Sequence, residues 1–430
     1  MTSQGTKIKT AMNNLNTLPH AHEVDAPMQH AEKSRLVRNI RLLTCCGFLA
    51  VILGAIPHQL IAQNMGDTLT WNGSSTSGSS WATATAGSWY DKTTSTGVIL
   101  NTSGNRDKTY NFLFEGASGT SKVSPTSMVV GGGNNFYANS IIFEQGFNTT
   151  NTTSITNGAA GATSIIFGAG NGSTSVSANA TTWTLANNAA TGNVTFTNGT
   201  GALTFKLFTS GNFSVLNAGA ITTIGSNITD FDATNKGGIT KTGAGSLTLN
   251  GTNTYTGSTT VSAGTLALGS AGSIASSSVL KIASGATFDV KAKTGSGFTL
   301  NNPLTIDVSA SNAGKLDATG VALTYGSALT LNFTSATPLA SYNLFAFGSE
   351  TGAFSSINLT GSFNGAMTEN SGVWTVSSNG YDFTFTESTG VLSAATAAIP
   401  EPGTSVLLGI VAAFFLHRLS RNRSIASRRN

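Results

Sequence analysis

Charge is scarce in this chain: only 9% of its 430 residues are Asp, Glu, Lys or Arg. Strong helix formers such as Glu, Lys, Arg and Gln are therefore rare, and long charged helices are excluded. Cysteine is almost missing. Cys45 and Cys46 are adjacent and sit in an N-terminal apolar run. Histidine is confined to His20, His22, His30, His58 and His417. The stretch 64–399 therefore has neither thiol nor imidazole. That excludes Cys–His and Ser–His nucleophilic catalysis and Cys/His zinc sites there. It also excludes a disulfide, so burial and backbone pairing must hold the fold.

Positive charge is missing from the middle as well. The overall balance of +4 comes from the two ends. Six of the 22 basic residues precede residue 64 and five follow residue 399, whereas 14 of the 18 acids lie between, so 64–399 carries −3. No basic face is available for nucleic acid where the folded part would be.

Abundant in their place are Gly, at 50 positions, and Ser, Thr, Asn and Ala. These are residues of tight turns and of pleated surfaces. Short apolar–polar alternations recur between them, as in Asn193-Val-Thr-Phe-Thr, Ser246-Leu-Thr-Leu, Thr265-Leu-Ala-Leu and Ala286-Thr-Phe-Asp-Val. A period near two in runs of three to five residues is strand behaviour, and no sustained 3.6 periodicity occurs in 64–399. Many short strands punctuated by Gly turns predict an all-β chain. The order strand, Gly turn, strand, Asn-Gly turn, strand across Gly237–Leu268 favours a β-solenoid of about a dozen coils. Aromatic residues thicken between 298 and 395. This region is read either as closing coils, the favoured reading, or as a small C-terminal β-sandwich covering the end.

The ends read as addresses. Lys33, Arg35, Arg38 and Arg41 precede an apolar run from Leu42 to about Ile56, with a cleavage point expected at Ala62 and Gln63. Residues 1–63 are thus expected to be a signal peptide with a polar extension, the start lying at Met1 or Met28. At the other end Pro400-Glu401-Pro402 is followed by an apolar run, Val406 to Leu416, and an Arg-rich tail. This three-part order resembles the PEP-CTERM sorting domain of Gram-negative bacteria, here over 399–430. The resemblance implies passage through the secretion translocon and recognition by an exosortase at Pro400, Glu401 and Pro402. It also implies transient membrane anchoring through residues 404–416.

The block Lys241-Thr-Gly-Ala-Gly-Ser-Leu-Thr-Leu, Asn253-Thr-Tyr-Thr-Gly-Ser-Thr-Thr-Val and Gly264-Thr-Leu resembles the autotransporter-associated, or passenger-associated transport, β-strand repeat. That resemblance implies a right-handed parallel β-helix. The chain is accordingly divided into a solenoid region at 64–235 capped by Trp71, Trp81 and Trp89-Tyr90, the repeat region at 236–297, and a β-rich region at 298–398. Nothing resembles a C-terminal outer-membrane barrel.

Candidate chemistry is sparse. Asp230 and Asp232, with Lys236, could seed a calcium site or cleft, although turn roles are favoured. Asp289, Asp307 and Asp317 could meet across coils as a carboxylate pair, but turn or surface roles are favoured for each. Gly131-Gly-Gly-Asn-Asn135 lacks the Lys-Ser/Thr of a phosphate loop. No catalytic residue, cofactor or metal is assigned. The expectation is an exported structural or adhesive protein, with extracellular polysaccharide or matrix as partner. The alternatives are a β-helical polysaccharide-degrading enzyme and a carbohydrate-binding module.

Overall fold

A computed structural model describes residues 182–398 continuously and a helix at 408–418. Before them it describes the segments 68–71, 79–80, 89–91, 96–98, 109–114, 127–130, 135–144, 152–158 and 160–168. All belong to the compact unit Asn64–Asn430. The signal-peptide residues Ala62 and Gln63, Trp81, the Gly131–Asn134 loop and Pro400, Glu401 and Pro402 lie outside the described residues.

The unit is a parallel β-solenoid. One ladder runs through eleven strands: Thr68–Trp71, Thr109–Phe114, Asn135–Phe143, Trp183–Asn187, Gly211–Val215, Ile239–Thr242, Thr259–Val261, Leu280–Ile282, Leu304–Val308, Ala328–Phe333 and Ser356–Gly361. Every step is parallel. A second ladder runs from Ser79–Ser80 through Thr152–Asn157, Asn193–Thr197, Ile221–Ile224, Ser246–Leu249, Thr265–Leu268 and Thr287–Asp289 to Lys315–Tyr325 and Phe345–Gly352. A third joins Asn135–Ala138, Thr163–Phe167, Leu203–Leu207 and Asn227–Asp230, then narrows to a single bridge, Thr252 to Ser273.

The alternation read from sequence explains the packing. In Leu203–Leu207, Leu203, Phe205 and Leu207 are buried while Thr204 and Lys206 face out. Parallel pairing then stacks like on like, so the inward residues form columns along the axis. One column reads Leu185, Phe213, Lys241, Val261, Ile282, Ile306, Leu331, Leu359. All eight are buried, and all but Lys241 are apolar. The step along it is 28 residues from Phe213 to Lys241 and 20 from Lys241 to Val261. Turn length varies while the stacked strands keep register, because the inward column, not the loop, fixes the pairing.

Aromatic side chains fill the core at the two ends of the described solenoid. Trp183 is fully buried, with Phe167 4.5 Å and Phe213 5.1 Å away between ring centroids. Its indole N–H donates to the Thr209 carbonyl at 2.7 Å. The space under the ring requires Gly211: a Cβ there would lie 2.2 Å from Trp183 Cδ2.

The coils continue to Gly361. The end is then closed by a five-stranded antiparallel sheet built from Ser341–Asn343, Thr368–Asn370, Val373–Ser378, Tyr381–Thr386 and Val391–Thr396. Phe383 packs 5.0 Å from Phe333 of the last coils, and Phe385 packs 5.8 Å from Phe345. The sheet shares the solenoid's apolar cluster and is not an independent sandwich. At the beginning, Thr68–Trp71 pairs antiparallel with Trp89–Asp91, placing Trp71 opposite Trp89, and Trp89–Asp91 pairs with Thr96–Val98. Antiparallel strands thus flank the parallel coils at both ends, where an open rung would offer unpaired backbone to another chain.

Candidate functional surface

The outward residues of the first ladder also form columns. One runs Thr184, Asn212, Thr240, Thr260, Lys281, Thr305, Thr330, Asn358. Two residues further along each strand a second runs Ser214, Thr242, Ser262 and, lower down, Asp307, Asn332, Thr360. These side chains are half-buried or exposed.

The two halves of this face differ. In the lower coils the polar groups satisfy one another. Lys281 pairs with Asp307 at 3.3 Å, Asn332 donates to Asp307 at 2.8 Å, and Thr360 donates to Asn332 at 3.4 Å. On the second ladder Asp289 and Asp317 are register partners. Two like charges side by side would repel, but the Lys291 ammonium bridges them at 2.9 and 3.1 Å, with Lys315 3.9 Å from Asp317. Burial pushes the Asp317 carboxyl up, but hydrogen bonds from Thr319 and Lys291 outweigh it and hold the carboxyl below its usual range. The same two carboxylates raise Lys291. These three aspartates, for which turn or surface roles were favoured, are outward strand residues, and each carboxylate is committed to a lysine.

Asp230 and Asp232 part company in the structure. Asp230 ties two coils, accepting from the Thr256 hydroxyl at 2.7 Å, from its N–H at 3.1 Å and from Gly237 N–H at 3.3 Å. Asp232 closes a local turn by accepting from the backbone of Asn235 and Thr234 and from the Asn235 side chain. These bonds, the Asn235 backbone first, hold it below the ordinary carboxylate value. Lys236 takes part in neither set of bonds. No group of three or more metal-ligating side chains occurs among the described residues.

Sequence reasoning missed Lys241. Its alternation partner Ile239 points inward, and Lys241 follows it into the core at 0% exposure. The ammonium donates to the carbonyls of Thr242 and Gly243, each at 2.8 Å, and of Ala263 at 3.2 Å. The first two lie at its own corner and the third one coil further on. Desolvation lowers its pKa to about 8. The corner needs glycine twice over. Gly243 has φ +77° and Gly264 φ +64°, and a Cβ on Gly264 would lie 2.5 Å from the Gly243 carbonyl oxygen. The missed signal was the phase of Ile-Thr-Lys-Thr, which puts positions 239 and 241 on one side of the strand.

A parallel solenoid whose consecutive rungs are pinned at a Lys-Thr-Gly corner is the architecture on which a transport repeat would be expected. The family model of the passenger-associated-transport-repeat matches residues 239–268. These residues are two consecutive rungs, Ile239–Thr242 with Ser246–Leu249, then Thr259–Val261 with Thr265–Leu268. The repeat is of the autotransporter-passenger type and points to a surface or secreted protein. Neither the curated proteins nor the solved structures gave a match to the chain.

Proposed function

We propose that the chain is an exported cell-surface or extracellular structural, adhesion-type protein, delivered through the secretion translocon and sorted at its C-terminus by an exosortase. The observation that carries this reading is the transport repeat at 239–268, set within an unbroken parallel solenoid. The protein acts by display. Its solenoid is a stiff rod, and its outward polar columns are the working surface towards extracellular polysaccharide or matrix.

The C-terminal segment supports sorting rather than permanent anchoring. Residues 408–418 form a helix with Leu408, Ile410, Val411, Phe414, Phe415 and Leu416 all exposed. Eleven residues span about 16 Å, half of a bilayer's ~30 Å hydrocarbon core. No helix among the described residues is long and apolar enough to cross a membrane. Such a segment holds the chain at the membrane briefly while Pro400, Glu401 and Pro402 are presented.

The test is the intact mass of the protein recovered from envelope and medium of its own host. Loss of residues up to about Ala62 and of the tail after Pro402 is the expected result. An uncleaved tail retained in the inner membrane would overturn exosortase sorting, and a cytoplasmic product with both ends intact would overturn export.

A further inference from the structure

The solenoid carries one patch of polar groups that the fold does not use. On three consecutive coils of the first ladder, six side chains form a rectangle: Asn212 and Ser214, Thr240 and Thr242, Thr260 and Ser262. Along the axis the rows are one strand spacing apart, ~4.8 Å, and across the face the two columns are separated by two residues, ~6.6 Å. All six are half-buried or exposed. Among the described residues, none of their side chains hydrogen-bonds within the protein. The neighbouring coils do the opposite. Ser140 donates to Asn111 at 2.9 Å on one side of the patch, and Lys281, Asp307 and Asn332 bond one another on the other. The rectangle is also free of charge and of aromatic rings, and its backbone is held by parallel pairing above and below.

We propose that this face, built on Asn212, Ser214, Thr240, Thr242, Thr260 and Ser262, binds a neutral polysaccharide laid along the solenoid axis. The chemistry selects the partner. Hydroxyl and amide groups each donate and accept, so the occupant must present dense groups of the same dual kind. An anionic polymer would be drawn to cations, but the nearest, Lys281, is already paired with Asp307. An apolar partner would find no platform and would leave hydroxyls dry at a cost. A neutral polymer of hydroxylated rings matches the absence of charge and repeats as the rows do. Because strand pairing already fixes the rows, binding orders only the polymer, and many weak bonds add along it. The second ladder is less suitable: its matching outward column is interrupted by Ile221, 40% exposed.

The inference rests on the surface-display reading, and the test separates the two. The full chain is incubated with insoluble cellulose, as a neutral glucan, and with alginate gel, as an anionic one, at low and high salt, and the bound fraction is measured. Retention on cellulose that persists in high salt is expected. Thr240→Ala with Thr260→Ala should then lower the association constant by about 2- to 10-fold for each hydrogen bond lost. Thr195→Ala with Thr223→Ala, on the second ladder, should leave binding unchanged. A circular-dichroism melt confirms that both pairs fold. No retention on cellulose, salt-sensitive retention on alginate alone, or equal effects of both pairs would overturn the proposal. So would concentration-dependent self-association abolished by the first pair, since the face would then meet a second copy. A cytoplasmic location in the host would overturn display while leaving cellulose retention to be read on its own.

Discussion

Lys241 lies in register between Phe213 and Val261, and its ammonium reaches the Ala263 carbonyl of the following coil at 3.2 Å. A cation thus occupies one rung of an otherwise apolar column, satisfied by three backbone oxygens and opposed by no carboxylate. The elements packed against it, Gly211–Val215, Thr259–Val261 and Ser246–Leu249, carry no ionisable side chain.

That arrangement sets a pH dependence. The folded pKa near 8 lies below the ordinary lysine value of 10.5. Between those limits the unfolded chain binds more protons, so stability rises with pH from about 8. Tyr255 and Tyr325 act oppositely. Burial raises both above the usual phenol value of 10.0, so their contribution is full below pH 10 and falls above it. Thermal melts should show greatest stability at mildly alkaline pH, and Lys241→Met should flatten the rise above pH 8. An undiminished rise in that variant would show that another group titrates.

Gly211 should be irreplaceable while Trp183 is present. Its Cβ would overlap the indole, and overpacking of this kind costs about 1–3 kcal/mol or more. Denaturant unfolding of Gly211→Ala should show that loss. Trp183→Phe, itself destabilising through the cavity it leaves, should reduce the cost of adding the alanine. Strictly additive losses in the double variant would count against the contact.

Glu387 pins the C-terminal sheet to the last coils. Buried at 4% exposure, it accepts from the Phe354 N–H at 2.9 Å and from the Trp374 indole N–H at 3.1 Å. Glu387→Ala strands two buried donors and should cost about 2–4 kcal/mol. Glu387→Gln keeps an acceptor oxygen and should cost less. Hydrogen exchange should show the loss concentrated in strands Val373–Ser378 and Tyr381–Thr386.

Lys291→Ala leaves Asp289 and Asp317 facing each other unbridged. The pair is near the surface, so the loss at neutral pH should stay within about 1 kcal/mol and shrink with added salt. The clearer signal is titration: the Asp317 carboxyl should move upward by NMR, since one of the bonds holding it down is gone. Asp317→Asn added to that variant should restore part of the stability.

Much of this architecture could be read from residue order. Leu247 and Leu249, or Thr287 and Asp289, declare by alternation which side faces in, and Gly243 and Gly264 mark corners by their spacing. Other features could not be read so. Lys241 looks like any surface lysine until its neighbours in the column are known. Asp289 and Asp317 are 28 positions apart and become neighbours only through parallel register. The division of the C-terminal aromatics into closing coils and a covering sheet turned on whether strands paired parallel or antiparallel, and short alternating runs are compatible with either.

The sequence by itself determined the class of element, the face each residue takes within its strand, the want of catalytic side chains in the middle, and the sorting signals at the ends, because these depend on local periodicity and composition. Tertiary structure alone decided which strands are neighbours. Pairing between coils 20 to 44 residues apart follows from the stacking of whole columns. It is that stacking which buries a lysine against carbonyls, sets two aspartates about one lysine, and leaves one rectangle of hydroxyls and amides without a partner inside the fold.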